Sequence, residues 1–220
     1  DLDTQHNLSL WFDIIEPKST VFDALIEREP LPIHNLRPNL DISPSGLKSI
    51  GAELEFNLKV QVARTERLAQ ALEGLPYDIV LIDCSPALNI PTLNALACAD
   101  LVISPVQAEA LSFKGLVHLD QQIKDIFGSE EGINYMFLTM TQSNTKLTRL
   151  VEETLNEEFK GRFLSSQIRR NTNLASTPIS HETIFEAYPE SNGAKDYKAL
   201  AEEQQVQTGL PKKHSYHTFV

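Results

Sequence analysis

The chain has 220 residues, 41% of them hydrophobic and 22% charged, and carries 19 Lys+Arg against 30 Asp+Glu for a net charge of −11. That hydrophobic share excludes a disordered chain and is enough for one large domain or two small ones. No apolar run reaches the roughly 18–20 residues of a membrane-spanning helix, and no basic-then-apolar stretch opens the chain as a secretory signal would. Cys84 and Cys98 fall in segments that read as buried, which suits a reducing cytosol rather than a disulfide framework. Residues 1–140 hold 9 Lys+Arg and 20 Asp+Glu, whereas residues 141–220 hold 10 of each. Phosphate backbones are bound through local positive charge, so any nucleic-acid contact falls to a basic face in the neutral C-terminal third.

In chain order, Val21 to Arg28 reads as a helix and Asn39 to Ile42 as a short strand ending at Ser43-Pro44-Ser45. Leu47 to Leu75 reads as mostly helical, stopped near Gly74 and Pro76. Tyr77 to Asp83 is an apolar run closed by an acid, and Leu101 to Val106, Tyr135 to Met140 and the weaker Arg162 to Ile168 follow it. Continuous apolar runs of this length fit strands buried on both faces. Between them lie helical segments: Thr92 to Ala99 behind Pro91, Ser112 to Phe127, and Asn144 to Phe159 with Leu147, Leu150, Val151, Leu155 and Phe159 on one stripe. Gly193 to Gln205 reads as a last helix. The alternation predicts an α/β fold, a doubly wound, mostly parallel sheet flanked by helices, as one domain over 1–206 with a flexible tail at 207–220.

Ligands of parallel α/β sheets sit outside the carboxyl ends of the strands, where Asp83 is placed. An acid there suits a Mg²⁺ ion, held directly or through its water, and equally suits a turn or helix cap. Asp1 and Asp3, two residues apart on an extended segment, project to one side. That pair suits a water or Mg²⁺, or is simply a polar loop. The six histidines show no metal-ligand spacing, Cys84 has no His or Lys near it and reads as packing, and Trp11 and Phe12 read as core or as part of a dimer face.

Asp1-Leu2-Asp3-Thr4-Gln5, Tyr77 to Pro86 with its Ile82-Asp83-Cys84, Thr92-Leu93-Asn94-Ala95-Leu96 and Pro105-Val106-Gln107 follow one another in an order that resembles the ParA-type partition ATPases, relatives of the MinD-like deviant Walker proteins. Leu138-Thr139-Met140, Ile168 to Asn171 and Ser191-x-Gly193-Ala194-x-x-Tyr197 continue it, so the resemblance runs from Asp1 to about Glu203. It implies a P-loop NTPase fold and a cytoplasmic, Mg²⁺- and ATP-dependent homodimer. That dimer would bind DNA without sequence preference, sit on the nucleoid through it, and be stimulated by a centromere-binding partner protein, with no membrane involved. By position, Asp3 would be the catalytic acid that orients the attacking water, with Asp1 beside it. Asp83 would hold the water shell of Mg²⁺, and Met140, Arg170 and Asn171 would lie near the adenine.

Two departures stand out. No glycine begins a Gly-x-x-x-x-Gly-Lys-Ser/Thr run, the phosphate cradle that the family carries upstream of its Asp-x-Asp motif. The chain opens on Asp1 and has Met136 and Met140 as its only methionines, so it reads as truncated before that motif, short of a first β-α unit of about 30–45 residues. Asn144 and Asn173 stand where the family often has DNA-contacting arginines, leaving Lys146, Arg149, Arg169 and Arg170 as substitutes. Alternatives are a non-catalytic interaction module on the same fold, or a MinD-like positioning ATPase. The latter usually ends in a basic amphipathic helix, which Gly209 and Pro211 interrupt.

Overall fold

The computed structural model describes residues 1–46, 51, 56, 59, 65–142, 145–208 and 217–219. It divides into two compact units, Asp1–Asp100 with Tyr216–Val220, and Leu101–Ser215, where the sequence predicts one domain over 1–206. Most of the predicted 47–75 helix and Asn144 lie outside the described residues.

In the first unit, the loop from Asp1 leads into α1 (Asn7–Trp11) and α2 (Val21–Glu27). Thr20 and Asp23 close a reciprocal capping box on α2, which stops where Arg28 turns left-handed at φ 60°. β1 (His34–Arg37) and β2 (Leu40–Ile42) pair antiparallel, with Asn39 at φ 64° in the turn. The sequence signals only the second of these strands. α3 (Arg67–Leu72), β3 (Ile79–Leu81) and α4 (Ile90–Cys98) complete the unit, with Pro91 in the first turn of α4. β3 pairs in parallel with β6 (His217–Phe219), so the backbone of the expected tail takes part in a strand. The core gathers Leu2, Val21, Phe22, Leu25, Phe56, Leu68 and Ala95.

The Thr-Leu-Asn-Ala-Leu stretch earns its place here by structure rather than chemistry. Asn94 is fully buried on α4; its Nδ2 donates to the Ile90 carbonyl (2.9 Å), and its Oδ1 accepts the backbone N–H of Leu68 (3.2 Å). The α3 cap, Glu66, offers no side-chain hydrogen bond, so Asn94 supplies an acceptor to an otherwise orphaned first-turn donor.

In the second unit, β4 (Ile103–Gln107) pairs in parallel with β5 (Tyr135–Thr139), around α5 (Ala110–Phe127) and α6 (Lys146–Glu158). The weak run at 162–168 forms an extended segment along β5, joined by parallel bridges at Met136/Phe163 and Thr141/Arg169. α7 (Thr172–Ser180), α8 (Ile184–Ala187) and α9 (Asn192–Thr208) follow. Two acids of α9 grip the extended segment. Asp196 accepts the Arg169 N–H (3.0 Å) and guanidinium (Nη2, 2.6 Å), and Glu203 accepts the N–H groups of Ser165 (2.8 Å) and Ser166 (2.7 Å).

Burial on both faces holds for β5, whose Met136, Phe137 and Leu138 are at most 8% exposed. It fails for β3, where Ile79 is 51% and Leu81 75% exposed. Apolar composition selects a strand in both places, but the elements that would cover β3 are not supplied by the described residues.

Asp120 of α5 is buried and accepts Arg162 Nη1 (2.8 Å) and the Ile133 N–H (2.8 Å), with Lys124 Nζ at 3.1 Å. Burial pushes its carboxyl upward, but these donors outweigh that and hold it below the ordinary carboxylate range.

Two outcomes follow from these buried polar groups. Asn94→Ala strips the acceptor from Leu68 and is expected to cost roughly 1–3 kcal/mol in urea unfolding. For Asp120, a folded pKa below the unfolded one means a contribution fully present above the unfolded value and lost as pH falls through the folded one. Asp120→Asn should therefore melt below wild type at pH 7, and the gap in Tm should close as pH drops below about 4.

Candidate active site

The first unit brings one acidic segment to the end of β3. The Leu2 N–H donates to the Asp83 carbonyl (2.8 Å), fixing residues 1–3 beside the carboxyl end of that strand. The Asp1 amino nitrogen donates to the Ser43 carbonyl (3.0 Å), just past β2. The segment then turns through Thr4 and Gln5, the Gln5 N–H donating to Asp3 Oδ1 (3.0 Å), and enters α1 through a left-handed His6 at φ 48°.

The two acids of this segment are not equivalent. Asp1 turns back onto α1, its Oδ2 accepting both the N–H (2.9 Å) and hydroxyl (2.6 Å) of Ser9, while its Oδ1 accepts the Asp3 N–H (3.3 Å). Asp3 instead acts electrostatically on Asp83. The turn at Thr4–Gln5 brings Ser9 back within reach of Asp1.

The Asp83 side chain reaches solvent, yet the packed chain around it removes enough water to push its carboxyl above the ordinary range. The Asp3 charge adds to that shift. A carboxyl whose ionised form is disfavoured by burial and by a neighbouring negative charge suits a cation beside it. The residues fit Mg²⁺ in this respect, whereas for a phosphate chain the sequence offers no glycine cradle.

Beyond this acidic end, a cavity of about 470 Å³ opens between β2 and β3, lined by Leu40, Ile42, Ile79 and Leu81 and by Asp1 and Leu2. Its walls are mainly apolar, and neither Asp3 nor Asp83 lines it. The Ser43 hydroxyl, buried without a hydrogen-bond partner, also borders it.

In the second unit, Met140, Arg170 and Asn171 meet where β5 and the 162–170 segment end. The Arg170 N–H donates to the Thr141 carbonyl (3.0 Å) one residue past Met140, which is 59% exposed at φ 51°. Asn171 caps α7, its Oδ1 accepting the Asn173 (2.8 Å) and Leu174 (3.3 Å) N–H groups. Arg170 is exposed, as are Lys146 and Arg149 in the first two turns of α6. Arg169 is committed elsewhere: its Nε and Nη2 form a fork on Asp196, so its charge is largely spent on the fold. Ser9 and Ser45 escape sequence reasoning, because a buried Ser carries no periodic signal.

The AAA domain family profile matches residues 1–136. The Bacillus subtilis (strain 168) sporulation initiation inhibitor protein Soj is 32% identical over 214 residues, covering 92% of this chain and 83% of that protein. The chain belongs to the ParA/Soj/MinD-type family of partition ATPases. Against an uncharacterized protein of Mycobacterium tuberculosis (strain ATCC 25618 / H37Rv), it is 33% identical over 205 residues and spans 60% of that protein's length. The fold agrees with a plasmid partition protein of Borrelia burgdorferi B31 bound to AMPPNP, at a TM-score of 0.75 and 23% identity over 93% of this chain and 84% of that one. It agrees equally, at 0.75 and 23%, with cobyrinic acid a,c-diamide synthase of Mycobacterium smegmatis with bound ADP and magnesium, over 95% and 82% of the two chains. ParA/Soj homologues thus share the P-loop NTPase architecture, and within it Asp3 and Asp83 stand at the carboxyl end of a parallel strand.

Cys84, next to Asp83, packs against the core with Cys98. Burial pushes the Cys84 thiol up to about 12 and the Cys98 thiol up to about 11. Both stay protonated at neutral pH, which argues against a nucleophile. Iodoacetamide labelling of the folded protein, followed by intact mass, should be slow at pH 7–9 and accelerate only above about pH 10.

Proposed function

We propose that this chain belongs to an ATP-hydrolysing partition protein that dimerises on ATP, binds DNA without sequence preference and answers to a centromere-binding partner in the cytoplasm. The observation that carries the reading is the placement of Asp3 and Asp83 together at the end of β3, tied there by the Leu2–Asp83 backbone bond. Membership of the family and the AMPPNP- and magnesium-bound relatives of the fold support it.

In this reading Asp3 accepts a hydrogen bond from the attacking water and orients it towards the terminal phosphate. Asp83 accepts from the water shell of the cation, and Asp1 holds the segment in place rather than touching the reacting atoms. When bound, Mg²⁺ neutralises charge on the phosphate oxygens, and the remaining task is positioning. Met140, Arg170 and Asn171 face the adenine, and Lys146 and Arg149 meet DNA phosphates.

Because their sequence offers no glycine cradle for a phosphate chain, the 220 residues alone are expected to show no Mg²⁺-dependent ATP turnover, whereas the protein isolated from its native source should turn over ATP. Asp3→Ala in that protein should lower kcat by about 10²–10⁴-fold while ATP still binds. Turnover by the 220 residues, or a native-source protein that turns over no ATP, would overturn the proposal.

A further inference from the structure

Ser9 and Ser45 are fully buried, each at 0% exposure, and neither is part of the acidic pair. They nevertheless form one continuous chain of hydrogen bonds that ends on Asp3. The Ser9 hydroxyl donates to Asp1 Oδ2 (2.6 Å) and accepts the backbone N–H of Ser45 (3.0 Å). The Ser45 hydroxyl then donates to the Asp3 carbonyl (3.1 Å). The far side is anchored too, because the Pro44 carbonyl accepts the first N–H of α2, from Val21 (2.8 Å). The backbone of Asp3 is thus held through Asp1 and Ser9 on one side and through Ser45, on a loop clamped to α2, on the other.

We infer that Ser9 and Ser45 are positioning residues, which set the hydrolytic rate by fixing the Asp3 backbone so that its carboxylate keeps one placement relative to Asp83. The inference rests on the role proposed for Asp3 in hydrolysis. Its physical basis is that the Ser9 hydroxyl bridges the Asp1 carboxylate and the Ser45 N–H, while the Ser45 hydroxyl ties its loop to the Asp3 carbonyl, both in a dry environment. A buried hydroxyl held in this way transmits a fixed geometry, and its removal loosens the groups it holds. Ser9→Ala removes the hydroxyl that holds the Ser45 N–H and halves the Ser9 contacts of Asp1. Ser45→Ala frees the Asp3 carbonyl from the loop but leaves the Asp1–Ser9 pair intact. Ser9→Thr keeps the hydroxyl.

Two readouts separate the inference from the reading beneath it. Amide hydrogen exchange of the chain, read by mass spectrometry, should speed up by about tenfold in residues 1–6 of Ser9→Ala and Ser45→Ala, while α4 keeps its wild-type protection and Ser9→Thr exchanges like wild type. In the native-source protein, Ser9→Ala and Ser45→Ala should lower kcat about tenfold with KM for ATP unchanged, and Ser9→Thr should restore kcat. Unchanged exchange in residues 1–6, or a kcat that ignores both alanine variants, overturns the inference, and if Ser9→Ala fails to fold the milder Ser45→Ala decides. A wild-type protein without ATP turnover overturns the proposed function instead. The exchange data then still decide whether the two hydroxyls hold Asp3.

Discussion

One backbone hydrogen bond, from Leu2 to the Asp83 carbonyl, organises the acidic end of the first unit. It places a loop that begins with two acids against the end of a strand that closes with a third. Like charges do not gather without compensation, and the compensation here is unequal. Asp1 is relieved by three donors from Ser9 and Asp3, whereas Asp83 is left with packing that removes water and with the charge of Asp3 nearby. That residual demand for positive charge is what makes this end suited to a divalent cation, and it arises only because the loop is pinned.

The same economy appears wherever a polar group is buried. Asn94 serves α3 and α4 together, Asp120 collects Arg162, Lys124 and the Ile133 N–H, and the α9 acids Asp196 and Glu203 hold the 162–170 segment along β5. Each carboxylate or amide organises backbone that lacks a regular ladder of its own. Asp120 leaves no room for a side chain at position 132: a Cβ on Gly132 would clash with its Oδ1 and lie 2.9 Å from its backbone oxygen. These groups are therefore scaffolding. Arg169 is likewise tied by a forked contact to Asp196, far along the chain.

The two central strands make the contrast sharp. β5 has its side chains shielded by α-helices and by the 162–170 segment, with Leu138 and Leu164 at 0% exposure. β3 has comparable composition, yet its residues open onto solvent and onto the cavity beside β2. Hydrophobicity selects a strand in both cases, but what covers a strand is decided by the rest of the chain. For β3, burial of Ile79 and Leu81 at the ordinary benefit of about 25 cal/mol per Å² would favour any extended segment that enters the slot.

The sequence by itself determined the family, the α/β class and most elements, because apolar runs and helical stripes depend on local chemistry: β4, β5, α4, α5 and α6 appear within a few residues of their predicted positions. It also determined Asp3 and Asp83 as candidates, through the order of short motifs. Local pattern could not reveal α1, α7 or α8, which are short and lack a full apolar stripe, nor β1, which carries His34 and Asn35 in place of an apolar run. Tertiary structure alone decided what surrounds this segment, because Asp1 and Asp3 are neighbours in sequence while Ser9 and the Asp83 carbonyl come to it by folding. It alone decided that Arg169 would be spent on Asp196 and that Ser9 and Ser45 would lie on one hydrogen-bonded path. The reason is the same in each case: a polar side chain takes its role from the partner that reaches it in a dry interior, and that partner is set by the fold rather than by spacing along the chain.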